Sequence, residues 1–274
     1  MRRTSSSLQG PCPLVQMVPT RQVTSCAWPM NGATAVNMKC HLMPWDPESD
    51  EHVERLIQQR IACGWNAERV ASEWKDEQLA GQKSIFWIVL SPDDPDFDTR
   101  LSRHIAKYPS EKLPLKDTGQ STFVPRTARE PKLASFVPVG HISLAKDDPA
   151  ARDLDLDLPS AGVMWIKAMY VSDALQNGGL GRAAMDAAEG MASRPPLNAR
   201  VLVLDTVQKD DQLREDYALA MYGRVAKMSN EEWYARRGYR VLKVVPGYYG
   251  DVPDRYGRHW MEIRTTFMCR DLGS

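Results

Sequence analysis

The residues best suited to chemistry lie between Gln176 and Arg182, where the chain reads Gln-Asn-Gly-Gly-Leu-Gly-Arg. An apolar run of strand length precedes them and an Ala-rich amphipathic segment follows, so the pattern predicts strand, loop and helix. The first N–H groups of a helix have no intrahelical partner and lie at the positive end of its dipole. Glycines lack a Cβ atom and let a phosphate approach this backbone. The stretch therefore predicts a site for a phosphate-bearing cofactor.

Two cofactor motifs fit this turn. Gly179, Gly181 and Ala184 match the dinucleotide fingerprint G-x-G-x-x-A, and Asp205 ends the next apolar strand. That fingerprint needs its first glycine almost directly after the strand, whereas residues 172–177 intervene here and no further strand–helix alternation follows. A Rossmann protein is therefore the weaker interpretation. A turn that merely closes a helix against a strand also stays open.

The second motif is carried by Gln176, Gly179 and Gly181, which resemble the pyrophosphate motif Q/R-x-x-G-x-G/A of the GCN5-related N-acetyltransferase superfamily. Met169-x-Val171 resembles the cofactor-facing strand of that superfamily. The resemblance implies acetyl-CoA as cosubstrate, with its pyrophosphate on backbone amides and its pantetheine arm along the strand. The implied cofactor-binding residues are Met169, Tyr170, Val171, Gln176, Asn177, Gly178, Gly179, Leu180, Gly181 and Arg182.

A second signature lies near the C-terminus. Tyr234-x-x-x-Gly238-Tyr239 resembles the superfamily's L-Y-x-x-x-G-F, with a tryptophan in place of Leu and a tyrosine in place of Phe. Ser229 and Glu232 have the spacing of a capping box, which predicts a helix over this segment. The resemblance implies that Tyr234 protonates the departing CoA sulfur. The alternative is a core tyrosine on an amphipathic helix.

The superfamily resemblance also implies direct attack of an amine on the thioester in a ternary complex, with a backbone N–H near Met169 or Tyr170 polarising the carbonyl. We take Asp205 as the candidate general base, and His141 and Glu262 stay open as alternatives. Lys167 is either a site residue or half of an ion pair.

The elements run strand, helix, helix, strand, strand, strand, helix, strand, helix, strand, strand. This order is the layout of the superfamily and implies an α/β fold of the acyl-CoA N-acyltransferase type. We expect a mixed, largely antiparallel sheet of six to seven strands flanked by helices. One domain spans 38–272, with insertions at about 91–138 and 207–229, after a basic tail at 1–37 that we expect to be disordered.

Three local patterns give sharper expectations. Asp50 is in place to cap the first helix. Helical spacing runs from Asp210 to about Lys227. The last strand is expected from Trp260 to Cys269.

Composition limits the partners. The 35 basic and 35 acidic residues cancel, which argues against nucleic acid and anionic membranes, and no apolar run reaches the ~20 residues of a membrane span. Five scattered cysteines fit a reducing compartment and predict no metal site. We therefore expect a cytoplasmic monomer or homodimer, with a mitochondrial location as the alternative because the first 45 residues contain no acid.

The acceptor is less constrained by the sequence. Small amines, amino acids, peptide N-termini and lysine side chains all remain open. Tyr248 and Tyr249 are suited to line an aromatic wall for a substrate cation, or else belong to a solvated turn. A relic of the same fold that binds CoA or a protein without turnover is the non-enzymatic alternative.

Overall fold

The computed structural model describes residues 39–121 and 128–273, so the expected basic tail lies outside the described residues. The strands are β1 Cys40–Pro44, β2 Lys83–Leu90, β3 Leu115–Lys116, β4 Ser135–Phe136, β5 Pro138–Ala145, β6 Val163–Val171, β7 Val201–Val207, β8 Arg240–Pro246, β9 Val252–Pro253, β10 His259–Trp260 and β11 Arg264–Asp271. The α-helices are α1 Asp50–Cys63, α2 Lys75–Leu79, α3 Phe97–Lys107, α4 Leu180–Ala192, α5 Lys209–Leu213, α6 Glu215–Tyr222 and α7 Asn230–Ala235. A π-helical turn at Val70–Trp74 leads into α2.

Seven strands form the main sheet, in the order β1-β2-β5-β6-β7-β11-β8. Among the strands of the described residues, only β6 and β7 are parallel, and α4 connects them, as a parallel pair requires a crossover. All other neighbours in this sheet are antiparallel. The expected mixed, largely antiparallel sheet is confirmed. The doubly wound parallel sheet of the dinucleotide interpretation is wrong.

Helices cover both faces of the sheet. On one face, here called the α4 face, apolar side chains of α4 such as Leu180 and Met185 pack on strand residues such as Ile142 and Leu204. On the opposite face, the α1 face, Leu56 and the predicted pair Val70 and Trp74 pack on the sheet. The interior strand β2 is buried along its whole length, which explains the unbroken apolar run from Ile85 to Leu90.

The sheet splits between β6 and β7. Their parallel pairing covers only three residue pairs and ends at Trp165 and Val203. Beyond that point β6 stays paired with β5 as far as Val171, and β7 stays paired with β11 as far as Val207. The two halves of the sheet therefore diverge and leave a gap between two strand edges, which we call the β6/β7 gap.

A β-bulge in β6 changes which side chains face each side of the gap. His141 pairs with Tyr170 and Ser143 with Lys167, so β6 has one residue more than β5 between these pairs. The extra residue takes up a left-handed backbone at Ala168, with φ 52°. After the bulge Met169 packs on the α4 face, although alternation from Ile166 would place it on the α1 face.

Gly140 allows β5 to follow this bulged strand closely. A Cβ atom at Gly140 would lie 2.2 Å from the carbonyl oxygen of Tyr170. Glycine is therefore required at this position for packing, because no side-chain movement would relieve a contact with backbone.

Two helix boundaries differ from the sequence-based expectation. The first helix is capped by Ser49, whose backbone is extended and whose hydroxyl accepts from the N–H of His52; Asp50 is the first helical residue. The segment from Asp210 to Lys227 is two short helices rather than one, because the chain is extended at Arg214. Tertiary contacts override helical spacing there, since the Arg214 guanidinium lies over the Trp260 ring, 5.1 Å from its centroid.

The last strand is also shorter than expected. Trp260 belongs to the small β9–β10 hairpin, and its indole N–H donates to Asp254 at 3.0 Å. Glu262 then adopts a left-handed backbone, with φ 63°, and β11 begins only at Arg264. The expectation that Glu262 lies on the last strand is therefore wrong.

Candidate active site

The loop between β6 and α4 presents a series of free backbone N–H groups. The N–H of Ser172 donates to Val139 at 2.8 Å, and the chain then passes through a 3₁₀ turn before Asn177 and Gly179 take left-handed conformations, with φ 63° and 83°. Between residues 177 and 182, no backbone N–H donates to another described residue. These groups lie at the N-terminus of the 13-residue α4, an arrangement suited to an anion, and we call residues 176–182 the anion loop.

Basic side chains from distant parts of the sequence surround this loop. The Lys39 ammonium donates to the carbonyl of Gly178 at 2.9 Å. Arg224, from the segment 207–229, donates to the side-chain oxygen of Gln176. Arg182 is exposed in the first turn of α4. The sequence motif identified only Arg182, because the other two reach the loop through the fold.

The predicted strand residues lie along the edge of the gap. Met169 contacts the loop, since a Cβ atom at Gly181 would lie 3.3 Å from its methyl carbon. Tyr170 points to the α1 face, where its ring lies 5.4 Å from that of His141, so only its backbone borders the gap. Val171 is buried in the core of the α4 face. Met169 lies between the anion loop, where it is next to Gly181, and α7, where it is next to Tyr234.

Tyr234 lies on α7 and reaches the same edge of the gap. The predicted capping box is present, with the Ser229 hydroxyl accepting from the N–H of Glu232 and the Glu232 carboxylate accepting from the N–H of Ser229. The Tyr234 hydroxyl lies 3.8 Å from the sulfur of Met169. Burial and the nearby Asp205 carboxylate raise the pKa of Tyr234 above its usual range. The phenol therefore keeps its proton at neutral pH.

On the α1 side of the gap, Asp205 is part of a group of charged and phenolic side chains that we call the Asp148–Asp205 cluster: Asp148, Lys167, Asp205, Tyr248 and Tyr249. The Lys167 ammonium bridges both carboxylates, at 2.5 Å from Asp205. Tyr249 donates to Asp205 at 2.6 Å, and Tyr248 donates to Asp148 at 2.8 Å. Burial alone would lower the pKa of Lys167, but the two carboxylates raise it, so it stays charged.

The other two candidate bases have different positions. His141 is fully buried, donates from Nδ1 to the side-chain oxygen of Gln59 at 2.9 Å and lies 3.4 Å from Arg60. Burial and the Arg60 charge lower the pKa of His141 well below its usual value, so it is a neutral core residue. Glu262 is exposed on the turn before β11. Among the three, Asp205 alone has its side chain within the cluster beside the gap.

The part of the chain that the structure describes contains no group of three His, Cys, Asp or Glu side chains arranged to hold a metal ion. Within the same residues, no helix combines the length and apolar character needed to cross a membrane.

Solved structures with similar folds come from several organisms. NAA60 of Arabidopsis thaliana, in complex with a bisubstrate analogue, is 12% identical with a TM-score of 0.46, over 85% of this chain and 99% of that chain. The aminoglycoside 6'-N-acetyltransferase from Enterococcus faecium is 11% identical with a TM-score of 0.46, over 85% and 98%. An acetyltransferase of the GNAT family from Staphylococcus aureus Mu50 is 12% identical with a TM-score of 0.42, over 85% and 99%. No curated protein matches the chain.

A family model gives the classification. The model described as the acetyltransferase (GNAT) family matches residues 83–222, just over half of the chain. The match covers the anion loop and ends before Tyr234. It confirms the predicted class of enzyme, an N-acetyltransferase that uses acetyl-CoA. The chain belongs to the acetyltransferase (GNAT) family.

Proposed function

We propose that the protein transfers the acetyl group of acetyl-CoA to a primary amine by direct attack within a ternary complex. The observation that carries the proposal is the β6/β7 gap, which has different chemistry on its two sides. The anion loop and Tyr234 lie on the α4 side, and Asp205 lies on the α1 side. A thioester held in this gap would be open to an amine from the opposite face.

The pyrophosphate of the cosubstrate would bind the free N–H groups from Asn177 to Arg182. Lys39 and Arg224 would add positive charge beside it, because both already donate to atoms of this loop. The pantetheine arm would pair with the backbone edge of β6 from Met169 to Val171, which is the edge that β7 leaves unpaired. The thioester would then lie between Tyr234 and the bulge at Ala168.

The chemical step forms a bond between the amine nitrogen and the acetyl carbon and breaks the bond between that carbon and sulfur. A backbone N–H of the bulged strand near Met169 or Tyr170 would stabilise the developing oxyanion. The Tyr234 hydroxyl would donate its proton to the departing thiolate. Its present neighbour, a thioether, is a weak acceptor and leaves the proton available.

The amine must lose a proton before or during the attack. Asp205 would hold the incoming ammonium and receive this proton directly or through one water molecule. Its carboxylate already accepts from Lys167 and Tyr249, which fixes its orientation.

Binding of the cosubstrate is tested first. We expect acetyl-CoA, and not NAD, to raise the melting temperature, because a ligand at 100 times its Kd stabilises the native state by about 2.7 kcal/mol. Gly179→Val should abolish this rise, since it forces a β-branched residue into a left-handed backbone beside the phosphate. Stabilisation by NAD alone would contradict the proposal.

Turnover is then tested by incubating the protein with acetyl-CoA and a library of primary amines while free CoA is measured. Release of CoA with an acetylated amine detected by mass spectrometry supports the proposal. Binding of acetyl-CoA without acetylation of any amine in the library would indicate a cofactor-binding relic of the fold.

A further inference from the structure

The Asp148–Asp205 cluster carries a net negative charge. It contains two carboxylates and one ammonium, and its two phenols are neutral, because burial and the neighbouring carboxylates raise the pKa of Tyr248 and Tyr249 above the usual range. The nearby cations Arg69 and Lys83 are paired with Glu73 and Glu77 and do not neutralise it. A net charge of this sign favours a cation over an anion.

The cluster already shows how it binds an ammonium group. The Lys167 side chain lies between the two carboxylates, with its nitrogen 5.0 Å from the centroid of the Trp165 ring. This combination of carboxylate oxygens and an aromatic face is a typical ammonium environment. Side-chain exposures of 21% for Lys167 and about 10% for each carboxylate show that the cluster is largely buried but still reached by solvent.

An aromatic wall adjoins the carboxylates. The Trp65 ring, from the segment that follows α1, makes an edge contact with Tyr249, and their centroids are 5.2 Å apart. Both side chains are half-buried. Because Tyr249 also donates to Asp205, an ammonium at that carboxylate would lie next to these two rings.

We propose that Asp148 and Asp205 together bind the ammonium of the acceptor, and that the acceptor is a primary arylalkylamine with no carboxylate beside its amine. This inference rests on the proposed acetyltransferase function and names the acceptor class. An α-carboxylate on the acceptor would lie against two carboxylates that share a single cation, and the repulsion would weaken its binding. Asp148 is then a specificity-determining residue contributed by the link between β5 and β6.

The test compares matched amines with the wild-type protein. Tyramine differs from tyrosine, and tryptamine from tryptophan, only by the carboxylate. We expect the KM of each decarboxylated amine to be at least about tenfold lower than that of its amino acid. Equal or better use of the amino acids would overturn the inference, as would no acetylation of either amine by a protein that acetyl-CoA stabilises. Failure of acetyl-CoA to stabilise the protein would instead refute the proposed function.

Substitution of Asp148 tests whether binding of the amine depends on the Asp148–Asp205 cluster. Asp148→Asn should raise the KM for tyramine about tenfold and leave the KM for acetyl-CoA within about twofold, since it removes one of the two carboxylates. Asp153→Asn is the matched control, because Asp153 is exposed on the same link, and it should change neither constant. An unchanged KM for tyramine in the Asp148 variant would overturn the role of Asp148. The amine comparison decides the acceptor class even if that variant does not fold.

Discussion

Replacing Tyr234 by phenylalanine isolates the proposed proton donation, because the change removes one oxygen and leaves the ring. The Tyr234 hydroxyl contacts the Met169 sulfur at 3.8 Å, a weak interaction, while the ring packs between those of Trp233 and Tyr239 at centroid distances of 5.0 and 5.8 Å. We therefore expect the melting temperature to change by about 2 °C or less. A loss of folded protein should therefore not account for any change in the rate constants of this variant.

The kinetic effect should be large. Proton transfer by a positioned side chain contributes about 10²- to 10⁴-fold to a rate. We expect kcat to fall about 100-fold, which corresponds to roughly 2.7 kcal/mol in the barrier. The Kd for acetyl-CoA should stay within about twofold, because the hydroxyl donates to the Met169 sulfur rather than to the anion loop. Because the pKa of Tyr234 is raised above its usual range, Tyr234 should stay protonated up to at least about pH 10, and its ionisation should not lower the wild-type kcat at any lower pH.

The assay measures kcat from the release of free CoA with an accepted amine, and Kd from titration calorimetry with acetyl-CoA. Tyr239→Phe is the matched control. It removes the hydroxyl of the neighbouring ring, which donates to Glu189 at 3.1 Å. This change should lower stability without lowering kcat tenfold. A kcat for Tyr234→Phe within about twofold of the wild type would refute the role of Tyr234 as the acid.

Three further predictions concern the frame of the site. Gly179→Ala should cost about 1–2 kcal/mol of strain at φ 83° and weaken acetyl-CoA binding in calorimetry; binding of wild-type strength would exclude a role for this backbone conformation. Gly140→Ala should lower the melting temperature by roughly 5 °C because its Cβ would meet the Tyr170 carbonyl, whereas Gly190→Ala in α4 has space and should raise it. Burial tends to raise the pKa of Asp211, but hydrogen bonds from Arg264 lower that pKa below its usual value. The ionised Asp211 therefore stabilises the fold above about pH 4, and this stabilisation is lost as the pH falls. Asp211→Asn should therefore lower the melting temperature at pH 7, and its difference from the wild type should shrink below pH 4; a constant difference would contradict this assignment.

The parts of the site that the sequence predicted are local. The anion loop depends on glycines and a helix start within seven residues, and the capping box that begins α7 depends on Ser229 and Glu232, three residues apart. Backbone conformation and capping act over such short distances, so the order of residues is sufficient to predict them. The strand that precedes the anion loop was predictable for the same reason, because an apolar run of strand length marks it.

Contacts between distant residues were not predictable in this way. Asp148 and Asp205 are joined through Lys167 only because the sheet opens after Trp165, and Arg224 meets Gln176 only because the segment 207–229 folds back on the loop. The separation of strands depends on which neighbours each strand finds, and this information is not contained in any single segment.

The sequence by itself predicted a phosphate-bearing cofactor, through a loop whose backbone N–H groups and glycines are adjacent in the chain, and its resemblance to the acetyltransferase motif implied acetyl-CoA. The tertiary structure decided which side chains lie on each side of the β6/β7 gap. The bulge at Ala168 is the physical reason, because one additional residue in β6 reverses the alternation and places Met169 on the side of Tyr234 while Lys167 stays beside Asp205.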